Sequence, residues 1–479
     1  MLVAGVDSST QSTKVLLCQA EDGTIVGRGS APHPPGTECD PAAWWSALEQ
    51  AGQGLLGRAG AIGVAAQQHG MVVVDEAGEV IRAALLWNDL RSAQAARELI
   101  AELGGPAWWA EQTGSVPSAS FTVTKLRWLA EHEPDHAARV ARVMLPHDWL
   151  TWRLATQGPG RAGAGAAEPV TDRGDASGTG YFSPAESRWL PEVAAAALGH
   201  QPGLPRIAQP NEVVGETAGG AILAPGTGDN MGAALGLSLE PGEMVISIGT
   251  SGTAYAVTER AAADESGMVA GFADATGRFL PLIATVNAGL VLSTVAALIG
   301  TDLDGLSARA LTAEPGAGGI ALLPYLDGER SPNRPDATGV LRGLTTRNAT
   351  GANLARAAIE AVLGTLAEAA DLIAAQGASR ERVLLIGGGA RSEAARRLAP
   401  GILGVPVLVP APEEYVALGA ARQAAWALAG TPGPPGWPRH SPEEYTGAAE
   451  PVVRQRLAWL RQATADWDTA GWDTPVWDG

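Results

Sequence analysis

The segment Asp7-Ser8-Ser9-Thr10-Gln11-Ser12-Thr13-Lys14 sets an acid, a run of small hydroxyl residues and a lysine within eight positions. Short hydroxyl side chains let backbone N–H groups approach phosphate oxygens, and a cation at the far end can pair with them. An acid at a strand end can hold Mg²⁺ directly or through waters; an Asp that merely closes a hairpin is the plain alternative. Ser247-Ile248-Gly249-Thr250-Ser251-Gly252-Thr253 offers the same turn chemistry around Thr250, without the cation. A third candidate, Gly387-Gly388-Gly389-Ala390-Arg391-Ser392, follows the apolar Val383–Ile386. A glycine break between strand and helix lets a ligand reach the backbone at a helix start. It has neither G-x-G-x-x-G spacing nor the Gly-Lys-Ser/Thr ending of a P-loop, so neither of those nucleotide folds is implied.

Three further segments carry candidate polar groups, and the last two of them suit a polyol. Gly226-Thr227-Gly228-Asp229-Asn230 puts an acid at the start of a helical Met231–Leu237. Asp is a common N-cap, and a helix N-terminus should lower its pKa, weakening it as a proton acceptor. Gln67-Gln68-His69-Gly70 and Leu86-Trp87-Asn88-Asp89-Leu90-Arg91 place amides, an imidazole and an indole directly after apolar runs.

The elements that must position these groups alternate between strand and helix. Leu2–Val6, Val15–Cys18 and Thr24–Val26 read as strands, with Glu21-Asp22-Gly23 as a hairpin turn. Met244–Ile248 and Thr253–Thr258 repeat the pattern of strand, hydroxyl turn and strand, a weak internal repeat. Apolar residues at three- and four-residue spacing predict a helix over Asn353–Ala375, followed by strand Val383–Ile386 and a helix from about Arg391. The pattern predicts an α/β fold. Residues 1–238 and 239–430 form its two halves, and 431–479 a linker (Thr431–Pro438) with an acidic tail of Trp-Asp pairs. Gly158–Ala167 reads as a surface loop. Two hydroxyl turns in register could face each other across a cleft and hold a polyphosphate.

The chain's 479 residues carry a formal net charge of −18. Such a field repels nucleic acid and anionic lipid, so neither is an expected partner. Lysine occurs only at Lys14 and Lys125, which makes Lys14 valuable for a phosphate. Cys18 and Cys39 make no disulfide framework and suit a reducing cytosol. Met1 leads straight into a strand with no basic leader, and the apolar stretch around Ala288–Ile299 is too short to span a bilayer. A soluble, cytoplasmic protein is expected.

In order and spacing, these motifs resemble the FGGY carbohydrate kinases, which share the duplicated ribonuclease-H-like fold of actin and Hsp70, with an interdomain cleft. The resemblance covers Leu2 to about Leu428. It includes Leu323-Pro324-Tyr325-Leu326-Asp327-Gly328-Glu329-Arg330-Ser331-Pro332, similar to the long family signature, and the Gly-Ala helix at Ala417–Ala421. The resemblance implies ATP and Mg²⁺ as cofactors. Asp229 would be the catalytic base and Asp7 the metal-positioning acid. Ser12, Lys14 and Thr250 would hold phosphates, Gly388, Gly389 and Ser392 the adenosine, and Gln68, His69 and Asn230 the sugar. Gln68-His69-Gly70 and Trp87-Asn88-Asp89 resemble the ketopentose-phosphorylating branch, with O5 of D-xylulose as the expected acceptor; glycerol-specific members carry Arg-Glu at Gln68-His69. Ser9 stands where the first phosphate loop usually has glycine, and Met is frequent in place of Gln68. Kinases for ribulose, gluconate or glycerol, a sugar-independent ATPase and a non-catalytic sugar-binding regulator are the rival readings. A homodimer is compatible with the sequence.

Overall fold

The computed structural model describes residues 1–156, 168–439 and 441–467. The loop expected at Gly158–Ala167 and the Trp472-Asp473 and Trp477-Asp478 pairs lie outside the described residues. The described chain forms two compact units that interleave in sequence. The first contains Met1–Leu239, Val257–Pro281 and Glu413–Arg439; the second contains Glu240–Ala256, Leu282–Pro412 and residues 441–467.

In the first unit, β1 (Leu2–Ser8) and β2 (Ser12–Gln19) pair antiparallel, and β3 (Ile25–Pro32) continues the hairpin. On its other side β1 runs parallel to β4 (Ala61–Ala66), which runs parallel to β5 (Ile222–Leu223). Every residue of β4 is buried, as a central parallel strand covered on both faces requires.

The second unit repeats this topology. There, β6 (Gly242–Ile248) pairs antiparallel with β7 (Gly252–Ala256), which pairs with β8 (Phe279–Thr285). On its other side β6 runs parallel to β9 (Arg380–Ile386), and β9 runs parallel to β10 (Val407–Val409). The strand–turn–strand repeat in the sequence is therefore the visible part of a repeated five-strand core. Parallel partners need long crossovers, so the intervening residues are free to build the site.

Helices complete each unit. The first has α1 (Thr122–His132) and α2 (Asp229–Gly236), of which α2 carries the candidate residues Asp229 and Asn230. The second holds α3 (Gly351–Ala375), with Thr350 as its N-cap, and α4 (Glu393–Leu403). Helix α4 starts later than expected, because Gly388–Arg391 form a 3₁₀ turn and Ser392 accepts a hydrogen bond from Ala395 N as its cap.

Small residues set the position of α2. Gly5 and Gly63 face each other in the β1–β4 register. A Cβ on Gly5 would come within 1.9 Å of the Ala417 carbonyl, and one on Gly63 within 2.2 Å of the Ala420 carbonyl. Helix α5 (Tyr415–Ala429) therefore lies almost on the sheet. Its own Gly419 lets α2 approach as closely, since a Cβ there would meet Gly232 O at 1.8 Å. Sheet, α5 and α2 thus form a tight stack that fixes where Asp229 begins its helix.

Thr431–Pro438 is irregular and mostly exposed, but Trp437 anchors it. Trp437 is buried in a cluster with Val3, Leu16 and Cys18, and its indole donates to Ala20 O at 3.0 Å. Beyond it, Glu443–Tyr445 adds an antiparallel strand to β10, and Pro451–Ala463 is a helix. Both lie where the sequence pattern predicts only a linker and an acidic tail. Among the described residues, no single helix is long and apolar enough to cross a membrane.

Candidate active site

The turn between β1 and β2 presents Asp7 and Lys14 opposite each other in register. Asp7 is 3% exposed and accepts a hydrogen bond from Ser9 Oγ. Burial pushes its pKa up to about 6, against the lowering effects of the Ser9 bond and the Lys14 charge. Lys14 Nζ lies 2.6 Å from Glu414 Oε2, just before α5, with both side chains partly exposed. Trp87 reaches the same turn, its indole donating to Thr10 Oγ1 at 2.7 Å.

Asp229 is the first residue of α2, and Gly228 occupies the N-cap position. The expected capping role is therefore corrected. The carboxylate instead accepts from the neighbouring Asn230 N at 2.9 Å and from Asn230 Nδ2 at 2.9 Å. The expected lowering of its pKa is also overturned. Burial, then the charges of Asp7 and Asp175, raise it to about 7, outweighing the helix terminus. An acid titrating near neutrality is a better proton acceptor than a surface aspartate.

Asn230 joins this carboxylate to the sugar candidates, because its Nδ2 also donates to Gln68 Oε1 at 3.1 Å. Gln68 and His69 follow β4, and both are buried. His69 adopts a left-handed backbone, φ 68°, and its Nδ1 lies 2.6 Å from Gly178 O. A carbonyl only accepts, so Nδ1 carries the hydrogen of that bond. Asp7, Gln68, His69, Asp229 and Asn230 thus converge in the first unit, with Ser12 and Lys14 at the start of β2.

The second unit holds the other candidates. The exposed Thr250 follows β6, and its carbonyl accepts from Leu290 N at 3.2 Å at the start of helix Gly289–Leu298. β6 and β9 lie side by side, so Gly387–Gly389 pack against the end of β6. A Cβ on Gly389 would strike Ile248 Cγ2 at 2.3 Å, whereas Gly388 has open space around it. Ser392 Oγ is engaged as the α4 cap and lies 3.1 Å from Ser307 Oγ. Within the family-like signature, Asn287 Nδ2 donates to Gly328 O at 2.6 Å, and Glu329 Oε1 accepts from Val286 N at 2.7 Å.

One cluster escaped the sequence reading. His147 is wholly buried, with Nδ1 2.7 Å from Asp175 Oδ2 and Nε2 3.1 Å from Asp148 Oδ1. Asp172 caps the short helix Arg173–Ala176 and accepts from Thr227 Oγ1 at 2.8 Å. That bond anchors the residue two positions before Asp229. Four ionisable residues spread over 147–175 show no ligand-like spacing in sequence, so only the fold reveals them.

The site's own chemistry suits a divalent ion. Asp7 and Asp229 are crowded acids whose proton affinities are raised by burial, and a bound cation relieves that setting. Among the described residues there is no cluster of three or more His, Cys, Asp or Glu placed to hold a metal. Mg²⁺ needs none, since it takes one or two carboxylates and fills its other positions with waters and substrate phosphates.

Two units of one topology, each with a hydroxyl turn between its first two strands, define the two-domain sugar-kinase form of the actin–Hsp70 ATPase fold. Residues 2–236 match the N-terminal domain and 244–428 the C-terminal domain of the FGGY family of carbohydrate kinases, and the chain belongs to that family. It is 47% identical over 446 residues to xylulose kinase of Streptomyces coelicolor, covering 90% of this chain and 88% of that one. Xylulose kinase of Escherichia coli is 33% identical over 425 residues, covering 84% of each chain. The crystal structure of xylulose kinase from Bifidobacterium adolescentis superposes with a TM-score of 0.89 at 44% identity, covering 96% of this chain and 99% of that one.

Proposed function

We propose that this chain transfers the γ-phosphoryl group of ATP to O5 of D-xylulose, giving D-xylulose 5-phosphate for xylose catabolism in the cytoplasm. The observation that carries this reading is the hydrogen-bonded chain Gln68–Asn230–Asp229, which ties polyol-binding amides to an acid of raised pKa. The 47% and 44% identical relatives, each a xylulose kinase, support D-xylulose over another polyol.

In this account Gln68, His69 and Asn230 grip the sugar, and Asp229 orients the attacking hydroxyl and takes its proton. Phosphoryl transfer passes through a loose transition state, so the hydroxyl becomes acidic late and a carboxylate suffices. Ser12 and Lys14 of the first unit and Thr250 of the second are assigned to the phosphates; Gly388, Gly389 and Ser392 are assigned to the adenosine. Mg²⁺, held by Asp7 or through its waters, would supply neutralisation of phosphate charge. Lys14 is paired with Glu414, but its ammonium has three N–H donors and can also meet a phosphate. Giving up so exposed a pair would cost at most about 1 kcal/mol.

A panel of sugars assayed for ADP release with Mg²⁺ tests the reading. D-xylulose should stimulate release far above ribulose, gluconate and glycerol. Equal release with and without every sugar would remove the kinase assignment, and preference for another polyol would change only the acceptor.

A further inference from the structure

The chain's second lysine has no place in the phosphate chemistry. Lys125 lies on α1 with 0% exposure, so no phosphate can reach it. Its Nζ donates to the carbonyl of His69 at 2.8 Å and to the carbonyl of Ser120 at 2.7 Å. From the same helix turn, Thr122 Oγ1 donates to the His69 carbonyl at 3.2 Å. Phe121, the residue before that helix, sets its ring 4.8 Å from the His69 imidazole, and Phe272 stands 5.8 Å from it.

These contacts converge on a residue in an unfavourable conformation. His69 has φ 68°, a region that side chains with a Cβ adopt only when surroundings over-determine them. Its imidazole is already tied to Gly178 O. Its carbonyl, turned by that backbone into the protein, is met by both Lys125 and Thr122. An aliphatic side chain could fill the same volume. Only a donor-rich one can satisfy two buried carbonyls at once.

We propose that Lys125 is a positioning residue of the sugar subsite, clamping the left-handed His69 backbone so that the His69 side chain faces the acceptor. The proposal rests on the assignment of His69 as a sugar contact. It gives Lys125 no contact with substrate, and it predicts that the effect passes through His69.

The test measures steady-state kinetics of Lys125→Met, His69→Ala and the double variant, with folding verified by circular dichroism and thermal melting. Lys125→Met should raise the KM for D-xylulose roughly tenfold, the size of a lost buried hydrogen bond, while the KM for ATP stays within about twofold. In the His69→Ala background the same substitution should add little, because the residue it positions is gone. Should Lys125→Met fail to fold, Thr122→Val removes the other donor to the His69 carbonyl and should raise the sugar KM in the same non-additive way. A folded Lys125→Met or Thr122→Val with wild-type sugar KM, or effects that simply add to His69→Ala, overturns the proposal. If His69→Ala itself keeps the wild-type sugar KM, the sugar-site assignment fails first, which separates the two failures.

Discussion

Asn230 Nδ2 lies 2.9 Å from the carboxylate of Asp229 and 3.1 Å from the amide oxygen of Gln68. One amide nitrogen thus orients the acid and is itself oriented by a side chain more than 160 positions earlier. Gln68→Met keeps the bulk but removes the acceptor. Losing a neutral hydrogen bond costs about 0.5–1.5 kcal/mol, so the sugar KM should rise roughly two- to tenfold with the ATP KM unchanged. Asn230→Ala should lower kcat as well, because the carboxylate loses its side-chain partner and keeps only the backbone N–H. The two effects should be non-additive in a double-mutant cycle. Additive effects would show that the three residues do not act as a chain.

Lys14→Ala should raise the KM for ATP and lower kcat, if the proposed pairing of its charge with the phosphates holds in this strongly acidic chain. Stability should hardly move. Its bond to Glu414 is partly exposed and contributes at most about 1 kcal/mol. Denaturant melts alongside ATP kinetics check both halves; unchanged ATP kinetics would place the phosphates elsewhere.

Gly419→Ala tests the stack that seats α2. The new methyl would overlap the Gly232 carbonyl. Overpacking of this kind costs about 1–3 kcal/mol. It should also lower kcat, because α2 carries Asp229 and Asn230. Urea melts and kinetics on the same preparation would show the two losses together; full activity in a destabilised variant would mean that α2 does not move.

The buried His147 predicts a pH dependence of stability. Burial alone would lower its pKa, but the charge of Asp148 and the bond to Asp175 raise it to about 9. The folded state then holds a proton that the unfolded chain releases near the ordinary value of about 6.5. Its stabilisation is complete below that value and is lost as pH climbs through about 9. Asp148 and Asp175, raised by burial to about 6, act in the same sense at lower pH. Unfolding free energy should fall between neutral pH and about 9, and His147→Asn should flatten that stretch. An identical slope in the variant would show that His147 is not the titrating group.

Much of this arrangement was legible in the sequence. The turns at Asp7–Lys14 and Ser247–Thr253 were readable because hydroxyl residues between short β-prone runs leave little choice of structure. The helix over Gly351–Ala375 followed from its apolar period. What sequence could not show were relations across long separations. Lys14 meets Glu414, His69 is clasped by Lys125, and His147 meets Asp175 only because the crossovers return to one sheet. The sign of the Asp229 shift was missed for the same reason. A helix start is a local feature, whereas burial and the charges of Asp7 and Asp175 are products of the fold.

Asp229→Asn isolates the proposed role of Asp229 as the base. The substitution keeps the side chain's shape, and since Gly228 holds the cap position, no helix cap is lost. Phosphorylation of D-xylulose should be followed with saturating MgATP, with ATP binding measured on the same sample. The variant should keep wild-type ATP affinity and lose about 10²–10⁴ in kcat, the usual loss when a positioned general base is removed. A variant that binds ATP normally and keeps more than about a tenth of wild-type kcat, well short of that loss, would contradict the account.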